Sequence, residues 1–236
     1  MNQGEISIIP ILDVPQINPG DPIADVISAR FNFLDFDVLV VTQKIVSKAE
    51  NRIVKLDLNS DLELQLQELI ENESKRILRR RGNLYITETH TGYICANAGI
   101  DHSNVSEGFV TLLPLDPDRS ARRIRDRIRA TQRVELGVII SDTFGRTWRR
   151  GVTDVALGTA GISAIVDLRG TSDSLGRMLN ATEIALCDEI AGAAELVKPK
   201  NGNIPAVVIR GLPQKHFRES SVLEEVIRPY SEDLFR

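Results

Sequence analysis

The sequence predicts a mixed α/β (α+β) fold built as a single domain. Short runs rich in β-branched residues alternate with segments of helical periodicity, which is typical of this class. The 236 residues suit one domain better than two independent ones, and the hydrophobic fraction of 42% allows a sizeable core. We therefore assign residues 1–236 to one domain, and the pattern leaves the order of the strands open.

The first 80 residues are predicted to hold three strands and two helices. Glu5–Ile11 is rich in β-branched residues and predicts a strand, whereas Asp21–Arg30 has its apolar residues at helical spacing. The apolar run Asp37–Thr42 has the length of a buried strand. Arg52–Leu58 alternates between apolar and charged residues, which predicts a further strand. Leu62–Arg80 has one leucine-rich stripe and is the longest predicted helix.

The rest of the chain, from Leu84 onward, continues the alternation of predicted strands and helices. Short apolar runs predict strands at Leu84–Thr89, Phe109–Leu113, Leu136–Ser141 and Ala206–Arg210. Helical periodicity predicts helices at Ser120–Ala130 and Thr182–Val197. The glycines between residues 151 and 176 indicate either a loop-rich wall of a substrate site or a set of structural turns.

Charge and composition exclude several classes of protein. The net charge of −4 argues against general binding to nucleic acid or to a membrane surface. Six arginines lie in Arg119–Arg129, but Ala121, Ile124 and Ile128 form one stripe among them, which favours a solvated amphipathic helix. Cys95 and Cys187 are far apart and form no disulfide or zinc motif. No signal peptide or membrane span is apparent, so we expect a cytoplasmic protein without a membrane partner.

The densest polar cluster is the segment CANAGIDHSN, which begins at Cys95. Its small residues let the backbone approach a ligand closely. Asp101 offers an oxygen ligand of the kind that Mg²⁺ or Mn²⁺ prefers, and Asn104 can bind a base or a phosphate. A tight turn with an Asx cap explains the same residues without any ligand.

A second cluster, SDTFGR, directly follows the predicted strand that ends near Ser141. Ligands of α/β proteins tend to bind beyond the carboxyl ends of strands, so Asp142 and Thr143 are candidates for a metal site. Arg146, Arg149 and Arg150 can neutralise a phosphate or a carboxylate. The alternative is a capped turn followed by a solvated basic stretch.

A third cluster lies just past the strand Asp37–Thr42. Gln43 is followed there by Lys44 and Lys48, and a lysine in this place can hold a phosphate as a point charge. Surface lysines are common, so ordinary solvent exposure is the competing interpretation. Phosphate-binding and hydrolase motifs such as GxxxxGK[ST], GxGxxG, HExxH and GxSxG are absent from the sequence.

Taken together, these clusters resemble one family in their order and spacing. The matching segments are DVLVVTQKIVSKAENRIV, ANAGID-x-SN, LDPDRSARRIR, ISDTFGR-x-WR-x-G, RGTSDSLGR and IPAVVIRGL. The resemblance spans most of the chain, from about Val14 to Leu212. They are similar to the coenzyme F420-0:L-glutamate ligases, also called gamma-glutamyl ligases. ANAGID-x-SN and ISDTFGR-x-WR-x-G are highly specific when they occur together in this order.

The resemblance implies a GTP-dependent amide ligase. GTP would phosphorylate a carboxylate, and the amine of L-glutamate would attack the acyl phosphate, which gives F420-0 a gamma-linked glutamate and releases GDP and phosphate. Two divalent ions, Mg²⁺ or Mn²⁺, and K⁺ would assist. The implied fold is the gamma-glutamyl ligase-like fold, which forms an intertwined homodimer.

The resemblance also implies roles for individual residues. Asp101 and Asp142 would hold the first metal and Thr143 would lie near the second, with Asp101, Asp142 and Arg146 as the catalytic set. The residues expected to contact the nucleotide are Val14, Pro15, Gln16, Ile17, Gln43, Lys44, Lys48, Asn104, Lys198, Lys200, Asn201 and Gly202.

The chain departs from the family pattern in the segment KPKNGNIP, which begins at Lys198. This loop is usually glycine-rich, and here Pro199 fixes a backbone angle and removes a donor. Two alternatives therefore stay open, namely a related ligase for another carboxylate acceptor and a non-catalytic nucleotide-binding homologue. Some relatives have a C-terminal nitroreductase-like domain, and we expect neither that domain nor flavin chemistry here.

Overall fold

A computed structural model describes residues 4–101, 107–199 and 202–235. The strands of these residues are β1 (Ser7–Pro10), β2 (Asp37–Thr42), β3 (Ile53–Lys55), β4 (Ser74–Arg81), β5 (Leu84–Thr89), β6 (Ile94–Ala96), β7 (Phe109–Thr111), β8 (Leu136–Gly145), β9 (Val152–Ala160), β10 (Val166–Asp167), β11 (Glu183–Ile184) and β12 (Ala206–Arg210). The α-helices are α1 (Ile23–Ser28), α2 (Gln43–Ala49), α3 (Leu62–Asn72), α4 (Pro117–Gln132), α5 (Leu186–Glu195) and α6 (Val222–Glu225). The mixed α/β class predicted from the sequence is confirmed.

The central element is a five-stranded sheet in the order β1-β12-β2-β8-β9. Only β2 and β8 run parallel in it, with Thr42 opposite Ser141, and the other neighbours are antiparallel. The carboxyl ends of the parallel pair therefore lie side by side. Ligands of open α/β sheets commonly bind at such an edge.

Helices cover both faces of this sheet. Leu39 and Val41 pack with α1 and α4 on one face, whereas Val38 and Val40 pack with α5 on the other. Because both faces are buried, β2 is a continuous apolar run and not an alternating one. This explains why its bounds match the prediction.

A smaller layer lies beside the central sheet. The antiparallel sheet β4-β5-β6, the pair β3-β7 and helix α3 share a third core cluster, which includes Ile70, Tyr85 and Ile100. The prediction of one long helix over Leu62–Arg80 is wrong beyond Asn72. The residues from Ser74 pair with β5 because strand pairing outweighs the good helix propensity of their arginines.

Other predictions differ from the structure in their extents. The strands predicted at Arg52–Leu58 and Phe109–Leu113 are shorter, and Thr182–Val197 begins with the short strand β11 before α5. Helix α2 and strand β9 were not predicted. Helix α4 buries the predicted stripe of Ala121, Ile124 and Ile128, which confirms it as an amphipathic helix.

Neither cysteine forms a disulfide, since Cys95 and Cys187 are both free and buried. Among the described residues, no helix has the length and apolar character needed to cross a bilayer.

Candidate functional site

A cavity of about 910 Å³ opens at the carboxyl ends of β2 and β8. Several separate parts of the chain line it, namely the segment before α1, the start of α2, the residues around the end of β6, the outer half of β8, single residues of β9 and α5, and the segment before β12. These parts are distant along the sequence, so the cavity is a product of the fold and not of one local motif.

One wall of the cavity is a strained turn just before Asp101. Asn97, Ala98 and Gly99 have consecutive positive φ angles of 50°, 54° and 71°. Such angles are costly for residues with a Cβ and occur mainly where the surroundings enforce them. Here the backbone N–H of Ala98 donates to Thr87 Oγ1 at 3.1 Å, and Leu113 fills the space beside Gly99. These contacts hold the turn rigid, and the turn fixes the position of Asp101 at the cavity.

Asp101 forms an ion pair with a lysine of helix α2 at the cavity wall. Its carboxylate lies 2.8 Å from the ammonium of Lys44 on α2. Lys48 lies one turn later, and burial together with the nearby charge of Lys44 lowers its pKa. Lys44 and Lys48 place two positive charges on this wall, which suits an anionic ligand.

Asp142 and Thr143 lie on strand β8 itself, which continues beyond the end near Ser141 that the sequence predicted. Strand β8 continues past Ser141 to Gly145, paired with the first residues of β9 as a two-stranded ribbon. The pairing shifts register between Ile140 and Ser141, as it does at a β-bulge. Bulges often re-aim side chains next to active sites. Asp142 and Thr143 both line the cavity beyond this irregularity.

The cavity also contains a buried acidic group that sequence reasoning missed. Asp154 on β9 accepts hydrogen bonds from Thr143 Oγ1 at 2.7 Å and Ser141 Oγ at 2.9 Å, and it pairs with Lys198 Nζ at 2.5 Å. Its backbone N–H donates to Glu195 at 2.8 Å. Burial alone would raise the pKa of Asp154, but the charge and hydrogen bond of Lys198 and the two hydroxyls hold this pKa below its ordinary value.

This arrangement fixes the direction of a hydroxyl group. Because Thr143 donates its only hydroxyl proton to Asp154, its oxygen offers lone pairs to any other neighbour. Together with the carboxylates of Asp101 and Asp142, it gives the cavity three side chains with oxygen donors. Hard cations such as Mg²⁺ and Mn²⁺ prefer oxygen donors of this kind.

Comparison with known proteins identifies the family. The sequence model described as F420-0:Gamma-glutamyl ligase matches residues 11–211. The chain belongs to the F420-0:gamma-glutamyl ligase family. It is 40% identical to "Coenzyme F420:L-glutamate ligase" from Methanothermobacter thermautotrophicus, over 98% of this chain and 99% of that protein. Proteins of the same name from Methanopyrus kandleri and Archaeoglobus fulgidus are each 39% identical, over 94% and 98% of this chain and 94% and 96% of theirs.

Most residues assigned from the resemblance to this ligase family line the one cavity. They are Val14, Pro15, Gln16, Ile17, Lys44, Lys48, Asp101, Asp142, Thr143 and Lys198. All of them lie within the part of the chain that the family matches. Their individual roles stay predictions, but their convergence is a property of the fold.

Three assigned residues do not line the cavity. Gln43 is buried and accepts a hydrogen bond from Ser47, while its Nε2 has no partner among the described residues. Arg146 lies on the exposed turn after β8, where its guanidinium donates to the carbonyl of Arg150 at 2.8 Å. Gly202 is exposed and lies beside Pro199. Asn104, Lys200 and Asn201 lie outside the described residues.

The residues that the sequence prediction missed share one property. Asp154 and Glu195 line the cavity but lie outside the three polar clusters of the sequence. Asp154 belongs to the glycine-containing stretch that was predicted as a loop-rich wall or a set of structural turns. Its pairing with β8 could have been inferred only if the strand β9 had been recognised.

Proposed function

We propose that this chain is a GTP-dependent ligase that adds L-glutamate to coenzyme F420-0 through a gamma-linked amide and an acyl-phosphate intermediate. One observation supports the proposal most strongly. Asp101 and Asp142, which are distant in sequence, line the same cavity together with the lysines of α2. The description of the family and the names of the relatives supply the acceptor and the amino acid. The reaction course is inferred from the residues and from the family resemblance.

The reacting atoms of such a ligase belong to the substrates. The γ-phosphoryl group passes from GTP to the acceptor carboxylate, and GDP leaves. The amine of glutamate then attacks the acyl carbon, the amide forms, and phosphate leaves with the carboxylate oxygen that it took up. Catalysis then rests on positioning, on charge and on the exclusion of water, which would hydrolyse the acyl phosphate.

The cavity fits this absence of a protein nucleophile. Cys95 lines the cavity, but burial raises the pKa of its thiol, and the negative charge of Asp142 adds to this effect, so that the pKa is about 12. A thiol that stays protonated at neutral pH is a poor nucleophile. Cys95 therefore serves as part of the wall, in agreement with an attack on phosphorus by the substrate carboxylate.

The donor set fits divalent cations. Mg²⁺ in nucleotide sites is commonly held by one or two carboxylates, with phosphate oxygens and water completing its shell. Asp101, Asp142 and Thr143 would hold Mg²⁺ or Mn²⁺ here. Among the residues that the structure describes, no three His, Cys, Asp or Glu side chains group closely enough to hold an ion unaided. Bound ions would neutralise charge on the triphosphate and the acyl phosphate, and K⁺ is expected to assist.

The lysines of α2 supply the protein's own positive charge. Lys44 and Lys48 repel each other, and this repulsion contributes to the lowered pKa of Lys48. A triphosphate between them and the acidic side chains would relieve that repulsion and keep both lysines charged. Their proposed role is to orient the phosphates while the acceptor carboxylate approaches.

The test is a mass-resolved assay of the acceptor. The protein is incubated with F420-0, L-glutamate, GTP and Mn²⁺, and both the F420 product and GDP are quantified. We expect the mass of F420-0 to increase by one or more glutamate residues, with one GDP formed per amide. Asp142→Asn should reduce turnover roughly a hundredfold or more. Asp126→Asn, on the exposed side of α4, is the matched control and should leave turnover unchanged.

The absence of both products with wild-type protein would contradict the proposal. GTP binding without turnover under these conditions would instead indicate the non-catalytic homologue.

One observation favours a second candidate, a ligase for a different carboxylate acceptor. Pro199 lines the cavity, and a Cβ at Gly202 would lie 2.5 Å from the Pro199 ring. This tight packing restricts Gly202, which belongs to a loop that is usually glycine-rich in the family. A screen of other carboxylates for GTP-dependent amide formation separates the two candidates, and activity with F420-0 alone would exclude the second.

A further inference from the structure

The turn between β8 and β9 exposes an aromatic ring and three cations that the proposed ligase chemistry does not use. Trp148, the single tryptophan of the chain, has 85% of its surface exposed. Arg146, Arg149 and Arg150 on the same turn are also exposed. We call residues 146–151 the ribbon tip. Tryptophan and arginine are the residue types most enriched where proteins bind partners or flat ligands.

The exposure of Trp148 is set by the backbone. Its φ of 65° is in the left-handed region, which is a true outlier for a bulky residue and tends to occur at functional sites. The turn is also bonded internally, because Arg146 donates to the Arg150 carbonyl and Arg149 N–H donates to the Arg146 carbonyl at 3.2 Å. The ribbon tip is thus a defined turn that holds a large apolar ring in water.

The cations of the ribbon tip form no ion pair with the part of the chain that the structure describes. Of the ion pairs formed by the described residues, none includes Arg146, Arg149 or Arg150. Three such arginines on a protein of net charge −4 make a local positive site. Guanidinium groups bind phosphates and carboxylates with paired hydrogen bonds and also stack on aromatic rings.

The ribbon tip is directly connected to the cavity. Asp142, Thr143, Phe144 and Gly145 line the cavity, and Gly145 forms the last pair of the ribbon with Val152. A strand advances by about 3.3 Å per residue, so this last pair lies roughly 7 Å beyond Thr143. A molecule of the size of a substituted flavin-like ring system can therefore touch the tip with one end and the cavity with the other.

We propose that the ribbon tip is the docking site for the distal end of the acceptor substrate, because the chemistry of the tip fits a flat aromatic ring together with an anionic group. Trp148 stacks on the ring, and the arginines bind the phosphate or carboxylate next to it, while the reacting carboxylate reaches the cavity. This proposal rests on the proposed function. The other occupants that the same chemistry allows are GTP and an acidic surface of a second copy of the chain.

The single tryptophan gives a direct test. F420-0 is titrated into the protein without nucleotide or glutamate, and Trp148 fluorescence is followed with an inner-filter correction from free tryptophan. We expect saturable quenching. In the variant Arg149→Ala/Arg150→Ala the dissociation constant should rise at least tenfold. Arg122→Ala/Arg123→Ala, on the exposed side of α4, removes the same charge elsewhere and should leave the constant unchanged.

Three outcomes would overturn the proposal. The first is an unchanged dissociation constant and an unchanged KM for F420-0 in the tip variant. The second is equal quenching by GTP alone that the same variant abolishes, which assigns the tip to the nucleotide. The third is a Trp148 emission that shifts with protein concentration, together with a loss of dimer mass by light scattering in the tip variant. These two results would assign the ribbon tip to contact with a second copy of the chain.

Failure of this proposal is distinguishable from failure of the proposed function. Normal glutamate addition with an unaltered KM in the tip variant leaves the ligase activity in place and removes only the docking site. Saturable, tip-dependent quenching by F420-0 without any glutamate addition would support the docking site and contradict the ligase activity. Trp148→Ala, measured by ultrafiltration of F420-0, should weaken binding at least tenfold and confirms that the ring itself contributes.

Discussion

Replacing Lys198 by methionine removes one partner of a buried ion pair on the cavity floor. The side chains of Lys198 and Asp154 are only 8% and 6% exposed, and their charged atoms lie 2.5 Å apart. Methionine keeps the apolar stem and the approximate volume but leaves Asp154 without a cation. The change therefore isolates the charge from the packing.

The cost follows from the burial of Asp154. Removing one partner of a buried pair typically destabilises a protein by about 3 to 5 kcal/mol, because the other charge stays buried and uncompensated. Asp154 would retain the hydroxyls of Ser141 and Thr143 as donors, so the lower end, about 3 kcal/mol, is expected. Asp154→Asn added to Lys198→Met removes the uncompensated charge and should recover part of this loss.

The loss should also depend on pH. The pKa of Asp154 lies below its ordinary 3.8 in the folded wild type, so the pair stabilises the fold above that pH and loses this effect as pH falls through the folded pKa. Without Lys198, burial raises this pKa above its ordinary value, and the variant takes up a proton earlier. The stability gap between wild type and variant should be largest near neutral pH and narrow toward pH 4.

The assay is urea unfolding at several pH values between 4 and 7, followed by far-UV circular dichroism. Lys215→Met is the matched control, since Lys215 is exposed and belongs to none of the ion pairs of the described residues. A loss below about 1 kcal/mol at neutral pH, or a gap that widens on acidification, would refute the reasoning.

Three further predictions concern stability and reactivity. Gly99→Ala should destabilise the fold by about 2 to 5 kcal/mol in urea unfolding, because φ is positive and the new Cβ would clash with the Leu113 side chain. Gly145→Ala is the control, since its Cβ would contact no other atom, and equal losses of stability in the two variants would contradict the prediction. Arg210→Met should cost about 3 kcal/mol, because fully buried Asp37 loses a two-point ion pair, and a neutral effect would contradict this. Cys95, with a pKa of about 12, should resist iodoacetamide at pH 8 until urea unfolds the protein, and rapid native labelling would contradict its burial.

Much of the fold could be predicted because burial leaves a strong pattern in the sequence. The strands β2, β5 and β12 were located to the residue because their apolar runs and limits coincide. The region after Asn72 was predicted wrongly, since its arginines have good helix propensity and its pairing with β5 is a tertiary effect. Helix α2 was missed because it begins directly after β2, with no separating turn.

The candidate site was predictable where local motifs mark it. Asp101 and Asp142 stand in compact polar segments, and the fold brings them to one cavity as expected. Asp154 and Glu195 could not be found in this way, because their roles depend on the pairing of β9 with β8 and on the approach of α5. Because β8 pairs with β9 as far as Gly145, the segment after Ser141 forms a two-stranded ribbon. Arg146 therefore lies beyond the cavity wall, on the turn at the end of this ribbon.

The proposed function requires Asp101 and Asp142 to act together on the cations of a bound triphosphate. Its most direct test is the affinity for Mn²⁺, measured by electron paramagnetic resonance with a non-hydrolysable GTP analogue, in wild type, Asp101→Asn, Asp142→Asn and the double variant. We predict that each single change weakens Mn²⁺ binding by roughly tenfold or more and that the double change costs less than the sum of the two. Wild-type affinity in either single variant, or strictly additive losses, would contradict a shared site.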